Sequence, residues 1–202
     1  EQFISEVSDS EGVSSRKAGA HVDAAIDRWV WYAGWADKYA QVIGNTNPVA
    51  GPFFNFSVPE PTGVVAAVAP QDASVLGLVS VVAPIIVTGN AVIIMPSSSR
   101  PIPAITLAEC LATSDVPAGV VNILTGAPAE VMPWLAEHAD VNALDLTGIV
   151  DEGVAADLER SAAGTVKRVR GAAPHADWQA TPSLSRIRAF VEVKTVWHPM
   201  GV

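Results

Sequence analysis

Five short runs rich in Val, Ile and Ala recur along this chain, with stretches long enough for a helix between them. The runs are 63–69 (GVVAAVA), 90–95 (NAVIIM), 119–124 (GVVNIL), 141–146 (VNALDL) and 166–170 (VKRVR). Helices are expected between and after them, at 73–88, 102–114, 128–138 and 151–163. Crossovers of this length force neighbouring strands to run parallel and to wind with one hand. Short apolar strands of this kind suit a sheet covered on both faces. The pattern therefore predicts an α/β fold, a doubly wound parallel sheet over 63–170.

The flanks read differently. Residues 1–48 are expected to be helical, with the clearest period over Val22–Tyr39. There Ile26, Trp29, Val30, Ala33 and Tyr39 fall near helical spacing. Residues 49–62 are punctuated by Pro52, Pro59 and Pro61, with Phe53, Phe54, Phe56 and Val58 among them, which predicts a short edge-type hairpin. Residues 171–187 lack a period and read as a linker. Ala189–Trp197 alternates and is β-rich, so 188–202 is expected to hold a final strand.

Composition sets bounds on partners. The chain is 50% hydrophobic and 16% charged, with a net charge of −9. Residues 1–150 carry 15 acidic and 5 basic side chains (net −10), and residues 151–202 carry 6 and 7 (net +1). An acidic body disfavours nucleic acid and anionic membranes. The most apolar run, Val75–Val87, is too short to span a bilayer and contains Pro84, so it reads as a buried helix. The opening EQFISEVSDS lacks a basic stretch followed by an apolar core, so no secretory leader is expected. A single cysteine, Cys110, excludes an internal disulfide and suits a reducing compartment, the cytoplasm.

Few motifs carry chemistry on their own. No GxGxxG occurs. His21, His138, His175 and His198 are far apart in sequence, so no metal site is expected. Cys110 lies between Leu107 and Leu111 on a predicted helix and reads as a small buried hydrophobe, not a nucleophile.

Three segments nevertheless resemble the aldehyde dehydrogenase family in order and in wording. They are Asp23–Pro70 (DAAIDRWVWYAGWADKY…GPFFNFSVPEPTGVVAAVAP), Gly89–Gly148 (GNAVIIMPS…VPAGVVNILTG…LDLTG) and Glu192–Pro199 (EVKTVWHP). The resemblance implies that the strand ends form a nucleotide site, and the matching positions here are Pro70, Asp72, Met95, Ser97, Gly126 and Gly148. Several of these depart from the family. Asp72 stands where an Asn would stabilise an oxyanion, and a carboxylate there opposes that role; it is expected instead to cap the helix beginning near Ala73. Met95 and Ser98 replace the Lys and Glu that hold a ribose, and Met cannot donate a hydrogen bond. Pro128 and Met132 stand at glycine positions, and Ile149 replaces a serine. No Glu follows the strand at 166–170, and the nucleophile motif has no counterpart, so no catalytic residue is assigned.

The family's oligomerisation arm is retained, as the hairpin at Phe53–Pro61 and the strand at Ala189–Trp197. The resemblance makes Phe53, Phe54, Phe56, Phe190, Val193, Val196 and Trp197 the interface residues. The expectation is a non-catalytic subunit, without a cofactor, that forms a hetero-oligomer with a complete aldehyde dehydrogenase. The alternative is part of an active enzyme that uses NAD or NADP to oxidise an aldehyde to a carboxylate.

Overall fold

The computed structural model describes residues 1–201. Its centre is a five-stranded parallel sheet of β3 (Val64–Val68), β4 (Ala91–Met95), β5 (Val121–Ile123), β6 (Ala143–Asp145) and β7 (Arg168–Arg170), in the order β5-β4-β3-β6-β7. Helices α4 (Leu76–Ile86), α5 (Ile102–Ala112), α6 (Pro128–Glu137) and α7 (Glu152–Ala163) form the crossovers. The doubly wound α/β fold read from the sequence is the fold of the chain.

Strand pleating divides the interior into two cores. Val65, Ala67, Val92 and Ile94 face one side, against α4, α5, α1 (Gln2–Glu11) and α2 (Ser15–Ala33). Ala66, Val68, Met95 and Leu144 face the other, against α6 and α7. Every residue of α4 from Leu76 to Ile85 is buried, as a helix apolar on all sides requires. Pro84 falls in its last turn and leaves the Ser80 carbonyl without the usual helical N–H donor.

A second, antiparallel sheet in the order β1-β2-β8 lies beside the first, from β1 (Asn45–Asn47), β2 (Phe53–Pro61) and β8 (Val191–Pro199). β2 pairs with β8 along its whole length, from Phe53 opposite Pro199 to Pro61 opposite Val191. The hairpin differs from the expected one. Its first strand is β1, ahead of the prolines, and Phe53–Pro61 is a single continuous strand.

Other expectations are corrected. On α2 the buried stripe is Ala18, Ala25, Arg28 and Tyr32, while Ile26 and Val30 are 54% and 67% exposed. Arg28 turns inward because its Nη2 donates to the carbonyls of Trp178 and Ala180 at 2.7 and 3.0 Å; a hydrophobic period counts Arg as polar and so finds the wrong face. The α2 helix also ends at Ala33, and α3 (Tyr39–Ile43) follows separately. Val166 adopts a left-handed φ of 55°, so β7 starts only at Arg168.

Residues 171–187 are tied down. Trp178 is buried, and a short helix α8 (Leu184–Ala189) buries Arg186 and Ile187. Phe190, expected at an interface, is 1% exposed in the chain's own core. It caps α8, and its carbonyl accepts from Asn90 Nδ2 at 2.8 Å and Thr62 N at 3.3 Å. Cys110 is exposed, on the outer side of α5.

Candidate functional site

A doubly wound sheet opens a crevice where successive connections leave for opposite faces. Here that point lies between β3 and β6, so the loops 69–75 and 146–151 flank it. A cleft of about 260 Å³ forms there, lined by Pro70, Gln71, Asp72, Arg100, Gly148 and His175 among others. A second hollow of about 240 Å³ continues past Gln71, Ser98, Pro128 and Ile149.

Gly148 lets the two loops meet. Its N–H donates to the Val68 carbonyl at 2.9 Å. A Cβ at this position would stand 1.9 Å from the Ala69 carbonyl oxygen, so no other residue fits without moving backbone.

Gln71, which the sequence reading passed over, organises the floor. Its Oε1 accepts from Ser98 N at 2.9 Å and Ser98 Oγ at 3.2 Å, and its Nε2 donates to the Ala69 carbonyl at 2.8 Å. Its own carbonyl accepts from Ser97 Oγ at 2.9 Å and Arg100 Nη1 at 3.3 Å. Glutamine after the Ala-Pro turn has no local signal; only the fold brings 71 to 97–100.

Asp72 does not cap α4. The helix begins at Leu76 without a side-chain cap, and Asp72 is exposed. Its carbonyl accepts from Arg100 Nη1 at 2.7 Å. The loop ahead of α4 is secured instead by Glu11 of α1, whose Oε1 accepts from Ser74 N at 2.8 Å and Ser74 Oγ at 2.7 Å. Glu11 Oε2 lies 2.8 Å from His21 Nδ1.

Met95 is fully buried and shares one apolar cluster with Met132 and Ile149. A Cβ on Gly126, whose φ is 147°, would stand 4.0 Å from Met95 Cε. Three positions that differ from the family pattern thus share the core beneath the crevice. Of the six strand-end residues, Pro70, Asp72 and Gly148 line the larger cleft, Ser97 is buried beside it, Met95 belongs to the apolar floor, and Gly126 is exposed.

Of the arm residues, Phe53, Phe54, Val193 and Trp197 are exposed, and Phe56 and Val196 are partly covered. Phe53 meets Trp197 edge to face with ring centroids 5.8 Å apart. β8 lies at the edge of its sheet, so one side of its backbone is unpaired. Among the described residues no three His, Cys, Asp or Glu side chains cluster as metal ligands, and no helix is long and apolar enough to cross a membrane.

The sheet order, the crevice between β3 and β6 and the glycine contact at Gly148 define a dinucleotide-binding type of α/β domain. The Aldehyde dehydrogenase family profile matches residues 1–172. Cytosolic aldehyde dehydrogenase 1 of Elephantulus edwardii is 33% identical over 148 residues, which is 73% of this chain and 29% of that protein. Retinal dehydrogenase 2 of Gallus gallus is 36% identical over 141 residues, 69% of this chain and 26% of that protein. The crystal structure of aldehyde dehydrogenase from Brucella melitensis biovar abortus 2308 superposes with a TM-score of 0.74 at 25% identity, over 83% of this chain and 34% of that one. The chain belongs to the aldehyde dehydrogenase family, and it spans under a third of the length of these curated relatives.

Proposed function

We propose that this chain is a non-catalytic aldehyde dehydrogenase-like subunit that assembles with a complete aldehyde dehydrogenase in a structural or regulatory role. The carrying observation is the burial of Met95 with Met132 and Ile149. Where the family resemblance expects a lysine, glycine and serine around a dinucleotide, these side chains offer a ligand no strong donor and lie in a packed interior. Ser98, at the family's ribose-binding Glu, is already engaged by Gln71. These residues do not suit a dinucleotide held in the family's way. Asp72 in place of an oxyanion-stabilising Asn points the same way.

Assembly rests on the arm. β8 presents an unpaired edge with Val193 and Trp197 exposed. Such an edge suits strand addition by a partner, with main-chain hydrogen bonds for affinity and side chains for register.

Calorimetric titration with NAD tests the reading. Loss of two polar ribose contacts costs about 1–3 kcal/mol each, together about one and a half to four decades in affinity. No saturable binding is expected below about 100 µM, roughly two decades above micromolar affinity. A low-micromolar dissociation constant, or NADH formation with a panel of aldehydes, would overturn it. Either result would favour the second reading, that these residues are part of an active NAD(P)-dependent aldehyde dehydrogenase.

A further inference from the structure

A group of basic side chains lies where the 171–187 segment crosses the ends of β6 and β7. Arg28, Asp145 and Arg186 are buried, and Arg170, the last residue of β7, is half-buried. Asp145 is the anion of the group. Its Oδ1 accepts from Thr147 N at 2.9 Å and also from Thr147 Oγ1, and its Oδ2 pairs with Arg186 Nη1 at 3.3 Å. Arg186 also lies over the Trp178 ring, 5.1 Å from its centroid. Arg186 is the guanidinium paired with this carboxylate, while Arg28 is spent on backbone carbonyls and Arg170 stands opposite Asp145 in the β6–β7 register. Glu159 of α7 comes near Gly171, yet no ion pair joins it to Arg170.

The hydrogen-bond inventory has the same sign. Arg170 Nε, Tyr32 Oη and Trp178 Nε1 are all buried without a partner. Arg and Trp side chains only donate, and a Tyr hydroxyl can donate. Buried donors without acceptors are costly, and so is excess buried charge. Arg28, Arg170 and Arg186 all act electrostatically on the Tyr32 hydroxyl, though burial outweighs them and raises its pKa. Burial lowers the pKa of Arg186, with Arg170 adding to this and Asp145 opposing it. What the group lacks is an acceptor that carries negative charge.

We infer that Arg170, with Tyr32 and Arg186 behind it, forms a binding site for a small oxyanion, a phosphate or a carboxylate, at the carboxyl end of β7. Arg170 is the partly buried mouth of the site, and its unpartnered Nε belongs to a guanidinium whose shape fits such groups. Asp145 holds Arg186 in place, and the Arg28 contacts to the carbonyls of Trp178 and Ala180 fix the roof. The site is separate from the β3–β6 crevice, and its existence does not depend on the subunit role proposed above.

The test is a titration of the 202-residue chain with inorganic phosphate, read by phosphorus NMR line width, with chloride keeping ionic strength constant. Saturable broadening is expected. Arg170→Gln should weaken it by about tenfold or more, the worth of one charge-assisted contact. Tyr32→Phe, which removes only the hydroxyl, should weaken it less. Circular dichroism checks that both variants stay folded. Displacement by acetate would assign carboxylates to the site, and resistance to acetate would assign phosphates; both support it. Broadening that never saturates, or that saturates equally in folded Arg170→Gln, overturns the site.

Discussion

Arg168 of β7 grips Glu192 of β8 with two parallel hydrogen bonds, Nε to Oε1 at 2.5 Å and Nη2 to Oε2 at 2.8 Å. This fork joins the edge of the parallel sheet to the antiparallel arm. The hydrogen bond from Arg168 holds the Glu192 carboxyl below its ordinary pKa, against a smaller opposing effect of burial. Folding therefore favours the ionised carboxylate. The contribution is complete above the ordinary carboxylate range and disappears as pH falls through the lowered value. Both side chains are about half exposed, so solvent screens the pair and it contributes no more than about 1 kcal/mol. Glu192→Gln should lower the urea midpoint slightly at pH 7, and the gap to the parent should shrink at a pH well below the ordinary carboxylate range. An equal gap at both pH values would show that the ion pair is not the cause.

Met95→Ala addresses the apolar floor. A fully buried Met truncated in a packed core costs about 2–5 kcal/mol. The urea midpoint should fall with the slope unchanged, since the surface exposed on unfolding stays nearly the same. A loss under about 1 kcal/mol, typical of surface substitutions, would mean that Met95 faces an open cleft.

Gly148→Ala should be worse than Met95→Ala. The added Cβ meets the Ala69 carbonyl oxygen at 1.9 Å and the Val68 oxygen at 2.8 Å, and both are backbone atoms that cannot rotate away. The loop would have to release its hydrogen bond to Val68. A soluble variant with a parent-like melting curve would show that the 146–151 loop moves freely.

Removal of 193–202 tests assembly and spares the core, because Ile187, Phe190 and Val191 remain in place. The α/β domain should keep its far-ultraviolet spectrum, while co-purification with a complete aldehyde dehydrogenase should be lost. Light scattering with both components mixed at micromolar concentration gives the independent check. A full-length chain that stays monomeric beside the partner would refute the interaction.

Much of the α/β domain was legible because its signals are local. Val-rich runs such as 63–69 and 90–95 bury on both faces, and the crossover lengths leave parallel pairing as the only choice, so β3 to β7 fall where the sequence puts them. Side-chain destinations set by distant partners were not legible. Arg28 turns inward only because the carbonyls of Trp178 and Ala180, 150 residues away, are there to accept from it. Asp72 fails as a cap because α4 starts later and Glu11 secures the loop ahead of it. Phe190 looks like part of an exposed strand, but α8 turns the chain and drives it into the core. In the candidate site the sequence named Pro70, Met95, Ser97 and Gly148. Tertiary structure decided that Met95 packs with Met132 and Ile149, that Gln71 seals Ser98, and that Arg186 meets Asp145. Periodicity reports which residues prefer to leave water; which hydrogen-bonding group a side chain meets once inside depends on contacts far apart in the chain, and only the folded structure sets those.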